Sequence, residues 1–161
     1  MKKLTLLFFF ALILSINLNA QVTRMNLTGS AEYSGGDFLA TSMGLNVERQ
    51  FSNHWGIVVG AEKTNYINEL FTMSRVSMPI MAKFYSKPVN IAFGPYADLF
   101  AGVKSPMNIT AFYSESIYWG FLGEISHRFD LNSNFSVEPG VRVRYMDEPF
   151  IGLSAALKYT F

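Results

Sequence analysis

Residues 151–161 read IGLSAALKYTF, and their side chains alternate between two chemical classes. One class is apolar or aromatic and the other is small or polar: Ile151, Leu153, Ala155, Leu157, Tyr159 and Phe161 against Gly152, Ser154, Ala156, Lys158 and Thr160. Alternation with period two is typical of a β-strand, because successive side chains point to opposite faces. Residues 135–145, FSVEPGVRVRY, repeat the pattern. Both segments predict strands with one apolar and one polar face.

The same alternation continues, with more noise, through the preceding part of the chain. Six further segments follow it, at residues 24–33, 39–51, 55–64, 75–84, 90–99 and 117–129. Each approaches the roughly 9–11 residues that a tilted strand needs to cross a bilayer. We therefore predict an all-β fold, an eight-stranded antiparallel up-and-down transmembrane β-barrel, in one domain over residues 21–161.

The predicted connections alternate between short polar turns and more variable segments. The turns are residues 52–54, 86–88 and 130–134, and the variable segments are residues 34–37, 65–71, 102–113 and 147–149. Transmembrane barrels have short turns on the periplasmic side and longer loops outside. The pattern predicts that both ends of the barrel domain face the periplasm, and that residues 104–113 form an external loop open to a partner.

The first twenty residues predict a secretory signal peptide. Lys2 and Lys3 provide the positive charge, residues 4–16 form an apolar run, and Ala20 precedes the predicted cleavage site. The apolar run is short for a membrane-spanning helix, which needs roughly 20 apolar residues. We therefore exclude residues 1–20 from the barrel.

Composition excludes several other classes of protein. Charged residues make up 16% of the chain and hydrophobic residues 50%, which is too apolar for a disordered protein. The formal net charge of +1 gives no reason to expect a nucleic acid as partner. The lack of cysteine excludes a disulfide framework, a cysteine-based zinc site and a lipidated cysteine anchor.

Alternation alone does not separate a membrane barrel from a soluble one, because the two differ in which face points outward. Charges of both signs lie on the polar face, where they can pair inside a narrow lumen. We predict that they form a polar network there, comprising Glu48, Glu62, Arg75, Lys83, Asp98, Glu124, Arg128, Glu138, Arg142, Arg144 and Lys158. This feature favours the membrane barrel.

Aromatic residues at the ends of the apolar faces favour the membrane barrel further. Phe51, Trp55, Phe129, Tyr159 and Phe161 fall at the predicted periplasmic ends, and Tyr33 and Tyr145 at the opposite ends. Such girdles are expected where rings meet the headgroup region of a bilayer. Phe161 also directly follows the most regular predicted strand, residues 151–160, and it favours the membrane barrel in the same way.

Three prolines oppose regular strand pairing. Pro79, Pro95 and Pro139 lie inside predicted strands, where each lacks the N–H group that the ladder needs. We expect bulges or locally relaxed pairing at these positions.

No set of residues identifies a reaction. The two histidines, His54 and His127, fall near the predicted periplasmic end, whereas an enzyme acting on outer-leaflet lipid needs a histidine and a nucleophile at the other end. We predict no catalytic residue, no cofactor and no metal site. An eight-stranded barrel is only wide enough for its own side chains, which favours a plugged lumen. A small-solute porin and a soluble periplasmic ligand-binding barrel are the alternatives.

Several segments resemble the small outer-membrane β-barrel proteins of the Bacteroidota, the porin-like and PorT-like family. Residues 77–85 (SMPIMAKFY) resemble that family's strand with proline and lysine, and residues 93–96 (FGPY) its Gly-Pro-Tyr strand. Residues 118–123 and 141–145 are also similar. The family usually has an acidic residue near Ser77, which this chain lacks. The resemblance covers nearly all of residues 21–161 and implies an outer-membrane location more than a mechanism.

The resemblance also concerns assembly. Residues 157–161, LKYTF, resemble the C-terminal signal read by the outer-membrane assembly machinery, which needs alternating apolar residues and a final aromatic. It implies that Tyr159 and Phe161 form this signal. The expected partners are outer-membrane lipid, the assembly machinery and an envelope protein, and the expected role is structural or an accessory role in assembly or secretion.

Overall fold

A computed structural model describes residues 22–35, 38–104 and 117–161. Nine strands occur in the described residues: β1 (Val22–Ser34), β2 (Leu39–Gln50), β3 (Trp55–Ile67), β4 (Thr72–Tyr85), β5 (Asn90–Lys104), β6 (Ile117–Ser126), β7 (Phe129–Asp130), β8 (Phe135–Tyr145) and β9 (Pro149–Thr160). Within these three ranges there is no helix of the length and hydropathy needed to span a bilayer. The predicted signal peptide, residues 1–20, lies outside the described residues and stays a prediction.

The strands form a single antiparallel sheet that closes on itself. Each strand from β1 to β5 pairs with the next along the chain, β8 pairs with β9, and β9 pairs back onto β1. The remaining seam is closed by β6 and β7, which both pair with β8 and act as one interrupted strand. The predicted eight-stranded up-and-down barrel is therefore confirmed. Closure leaves no open sheet edge, which lipid would not tolerate.

The prolines interrupt hydrogen bonding without shifting the register. The β3–β4 ladder skips the positions around Pro79, and the β4–β5 ladder skips those around Pro95, yet the pairing resumes in the same register. Opposite Pro139, His127 donates its N–H to the proline carbonyl but receives no bond in return, and β6 ends at Ser126. The pairing is thus locally relaxed at each proline, and the bulge alternative does not apply there. The one register shift of the β4–β5 pair lies between Ser74 and Arg75.

The pleat directs apolar side chains outward and charged side chains inward. Leu153 and Trp119 expose 71% and 70% of their surface on the outer face. Lys158 and Arg142, which alternate with outward residues on β9 and β8, are buried inside. The alternative of a soluble barrel whose apolar faces enclose a ligand is wrong, because those faces point away from the lumen.

The connections between strands fall at the two ends of the barrel. Residues 51–54, 86–89 and 131–134 join strands at one end, here called the turn end, in agreement with the predicted turns. The opposite end, here called the loop end, carries residues 68–71 and 146–148. β5 continues to Lys104, further than predicted, and residues 105–116, which include most of the expected external loop, lie outside the described residues.

Aromatic side chains ring the turn end. Tyr159 contacts both Phe135 and Phe161 with ring centroids 5.1 Å apart, and Trp55 contacts Phe84 at 5.0 Å. Phe51 and Phe129 are also exposed there, and Tyr33 and Tyr145 are exposed towards the loop end. Both predicted girdles thus lie on the outer surface of the barrel.

Candidate functional site in the barrel lumen

The lumen is filled by charged side chains that every second strand position supplies. Its buried charged residues are Arg24, Glu32, Glu48, Glu62, Arg75, Lys83, Asp98, Glu138, Arg142, Arg144 and Lys158. Burying an unpaired charge is costly, so such groups must pair or bind other polar groups. They do so in two clusters, one towards each end of the barrel.

The turn-end cluster comprises Arg24, Glu48, Lys83, Glu138 and Lys158. Lys83 Nζ lies 3.1 Å from Glu48 and 2.5 Å from Glu138, and Lys158 Nζ contacts the same two carboxylates. Arg24 Nη1 adds a third cation at 2.7 Å from Glu48. Two carboxylates, from β2 and β8, therefore bridge three cations from β1, β4 and β9, so that five strands are joined. The cluster ties opposite walls of the barrel together.

The loop-end cluster is built on two arginines of β8. Arg142 lies 2.8 Å from Glu62 and 3.0 Å from Glu124, and Arg144 lies 3.0 Å from Glu32. The guanidinium groups thereby connect β8 to β1, β3 and β6. Charge-assisted hydrogen bonds of this kind are stronger than neutral ones and fix side-chain geometry.

Aromatic rings complete the loop-end cluster. Tyr66 donates a hydrogen bond of 2.8 Å to Asp98. Arg144 lies over the ring of Tyr96 at 5.1 Å, and Arg75 lies over the ring of Tyr118 at 4.1 Å. A guanidinium group within about 6 Å of an aromatic face is attracted by the ring quadrupole. Arg75 is thus held by an aromatic face.

Ten of the predicted network residues face the lumen, and Arg128 does not. Arg128 pairs with Asp130 at 2.6 Å at the turn end, where their side chains are 30% and 63% exposed. It lies in the interruption opposite Pro139, where the regular pleat ends. The predicted network omits Arg24 and Glu32, which are buried in the lumen and which the alternation of β1 already places on its polar face.

Glycines make room for the network. A Cβ atom at Gly120 would come within 2.6 Å of the Tyr96 ring, and one at Gly60 would overlap the Asn46 side-chain oxygen. Asn46 in turn donates to Glu62 at 3.1 Å. The lumen-facing glycines therefore allow long polar side chains to cross a narrow barrel.

Little space is left between the two clusters. The cavity there has a volume of about 20 Å³ and is lined by residues of both clusters, including Glu48, Lys83, Glu124 and Arg142. Such a volume holds about one water molecule. Within the three described ranges, no group of three or more His, Asp or Glu side chains is arranged to hold a metal ion.

The two histidines lie at the turn end. His54 Nδ1 is 3.2 Å from the carbonyl oxygen of Tyr85, and His127 Nδ1 is 2.5 Å from that of Pro88. Because a carbonyl only accepts, each Nδ1 donates its hydrogen. Both rings are thus bonded to the backbone around the 86–89 turn.

Comparisons with solved structures agree with this architecture. The outer membrane protein OprG of Pseudomonas aeruginosa superposes with a TM-score of 0.59 at 13% identity, covering 88% of this chain and 97% of OprG. The chain has the fold of an outer-membrane β-barrel. The N-terminal barrel domain of OprF from the same species gives a TM-score of 0.58 at 7% identity, covering 88% and 98%. The attachment invasion locus protein Ail of Yersinia pestis gives 0.54 at 15% identity, covering 87% and 97%.

Comparisons of sequence identify no family for this chain. No protein-family model matches the chain, and no curated protein matches it. The resemblance to the Bacteroidota family therefore stays a prediction. The outer-membrane barrel fold rests on the closed sheet, the outward apolar faces and the structural neighbours.

Proposed function

We propose that this chain is an integral barrel of the bacterial outer membrane with a structural role, or an accessory role in assembly or secretion, and with a sealed lumen. The observation that carries the proposal is the pairing of an apolar outer surface with a lumen whose charges neutralise one another. A soluble protein would not expose residues such as Leu153, Trp119 and Phe121 side by side around a barrel. In a bilayer the same apolar surface contacts the lipid chains, which is its favourable environment.

The sealed lumen distinguishes this proposal from the porin alternative. Opening a path past the turn-end cluster requires separating Lys83 and Lys158 from both Glu48 and Glu138. Each separation strips a buried ion of its partner, at a cost of about 3–5 kcal/mol. The cavity of about 20 Å³ is far too small for a solute. These features support a plug rather than a channel.

The proposal includes orientation, partners and the absence of catalysis. The turn end faces the periplasm, because outer-membrane barrels have their short turns on that side and the longest connection, residues 105–116, joins β5 to β6 at the opposite end. Tyr159 and Phe161 act as the signal for the assembly machinery, in line with the resemblance of residues 157–161 to that signal. The described ring contacts of His54 and His127 are to backbone carbonyls and to the rings of Phe84 and Phe129, and none of these groups is a nucleophile that a histidine could activate.

Membrane fractionation and gel mobility test the proposal. We expect the mature protein in the outer-membrane fraction, and we expect the detergent-folded protein to shift its band on boiling. A soluble protein without a heat-dependent shift would overturn the proposal.

Planar-bilayer recordings test the sealed lumen separately. We expect no stepwise current from the purified barrel. Regular conductance steps that scale with the added protein would refute the sealed lumen and support the small-solute porin alternative.

A further inference from the structure

The turn end of the barrel contains an open funnel. Its volume is about 770 Å³, which lies within the range of roughly 300–1,000 Å³ of ligand-binding pockets. Its walls are the turns 51–54 and 86–89 together with the strand ends next to them, and its lining includes Arg24, Lys87, His54, His127 and Arg128. The lumen plug described above leaves this recess open only at the turn end.

The funnel is electropositive. Its lining includes the cations Arg24, Lys87 and Arg128 and one carboxylate, that of Asp130. Because Asp130 pairs with Arg128 at 2.6 Å, the excess positive charge of the lining comes from Arg24 and Lys87. Arg24 itself belongs to the turn-end cluster, whose three cations exceed its two carboxylates by one charge. The lumen at the loop end has the opposite balance, since the carboxylates of Glu32, Glu62, Asp98 and Glu124 outnumber its three guanidinium groups. A recess with low-dielectric walls and one sign of charge concentrates ions of the other sign.

Lys87, the most exposed cation of the funnel, lies on a turn that two histidine side chains hold in place. Lys87 is exposed at the centre of the 86–89 turn. His54 holds the start of that turn through the Tyr85 carbonyl, and His127 holds its far side through the Pro88 carbonyl. A charged group on a preorganised turn loses less conformational freedom on binding than one on a mobile loop. The histidine rings and Tyr85 also offer apolar surface beside the charge.

We infer that this funnel binds an acidic peptide segment of another periplasmic protein, with carboxylates directed to Lys87 and towards Arg24. The inference rests on the proposed function because the turn end must face the periplasm. A membrane lipid is a poor occupant, since the strands separate the funnel from the apolar outer surface. A peptide enters along the barrel axis, and the volume accommodates a short segment of a few residues.

Fluorescence anisotropy with a labelled six-glutamate peptide tests the inference on the detergent-folded barrel. A six-glutamine peptide of the same length is the control for binding that does not depend on the charge of the peptide. We expect the glutamate peptide to bind in a salt-sensitive manner and the glutamine peptide not to bind. Lys87→Glu should weaken binding about tenfold or more, the equivalent of losing one hydrogen bond to a charged group.

A matched variant separates the effect of a charge inside the funnel from the effect of the net charge of the whole protein. Lys63→Glu makes the same change of charge on the outward face of β3, nearer the loop end and away from the funnel, and should leave binding unchanged. The double variant Lys87→Glu/Arg128→Glu should bind a six-lysine peptide instead. Equal binding of the glutamate and glutamine peptides, or equal losses in Lys63→Glu and Lys87→Glu, would overturn the inference.

The heat-dependent band shift separates this inference from the proposed function. A barrel that shifts on boiling but does not bind the glutamate peptide refutes the acidic-peptide site alone. A protein that never gives the folded band refutes the proposed barrel and the inference together. Inorganic phosphate that competes at low millimolar concentration and abolishes the discrimination between peptides would show an unselective anion site and overturn the peptide assignment.

Discussion

Neutralising Glu48 tests the role of the turn-end cluster in holding the barrel together. The Glu48 carboxylate contacts Arg24 at 2.7 Å, Lys83 at 3.1 Å and Lys158 at 2.5 Å. Glu48→Gln keeps the size of the side chain but leaves Arg24 without a carboxylate partner and Lys83 and Lys158 with that of Glu138 alone. Removing one partner of a buried pair costs about 3–5 kcal/mol, and we expect a loss of about 4 kcal/mol here.

The assay is urea unfolding of the barrel in lipid vesicles, followed by the emission of Trp55 and Trp119. Both tryptophans are exposed on the outer face, so unfolding transfers them from lipid to water. Glu69→Gln makes the same chemical change at an exposed loop residue and should alter stability by less than about 0.5 kcal/mol. A loss below about 1 kcal/mol for Glu48→Gln would refute the assignment of the cluster as a structural plug.

A second substitution tests whether the loss arises from uncompensated charge. Adding Lys158→Met to Glu48→Gln removes one of the stranded cations. If the charges are coupled, the double variant should be more stable than the sum of the single effects predicts, by about 1–3 kcal/mol. Strict additivity would contradict the reasoning.

Three further changes probe other parts of the molecule. Gly60→Ala should destabilise the barrel by about 1–3 kcal/mol in urea, since its Cβ would displace Asn46, whereas Gly123→Ala, with its nearest neighbour at 4.0 Å, should be nearly neutral. Leu153→Arg places a charge on the outer surface and should cost about 2 kcal/mol in vesicles; an unchanged midpoint would contradict a lipid-facing surface. Deleting Phe161 should reduce the heat-shifted band in outer membranes from cells, and wild-type levels of that band would refute its role in assembly.

Much of the architecture follows from local patterns. The alternation of Leu157 and Lys158 already assigns one to the outside and the other to the lumen, because the pleat of a strand is a local property. The same reasoning applies to β1, whose polar face includes Arg24 and Glu32. Strand number and the three turns at the turn end follow in the same way.

Which charges meet was not predictable from these patterns. Glu48 and Lys158 are 110 residues apart, and their contact depends on the closure of β9 onto β1 and on the stagger of the strands around the barrel. The pattern also includes Arg128 among lumen residues, but Pro139 interrupts the ladder opposite His127, and Arg128 pairs with Asp130 at the surface instead.

Local chemistry therefore settles the class of fold and the two faces of each strand, since these depend only on neighbouring residues. The ionic clusters, the glycine spaces beneath Tyr96 and Asn46, and the funnel at the turn end depend on contacts between distant strands. Those contacts arise only when the sheet closes, because closure sets the width of the lumen and the depth at which each side chain enters it.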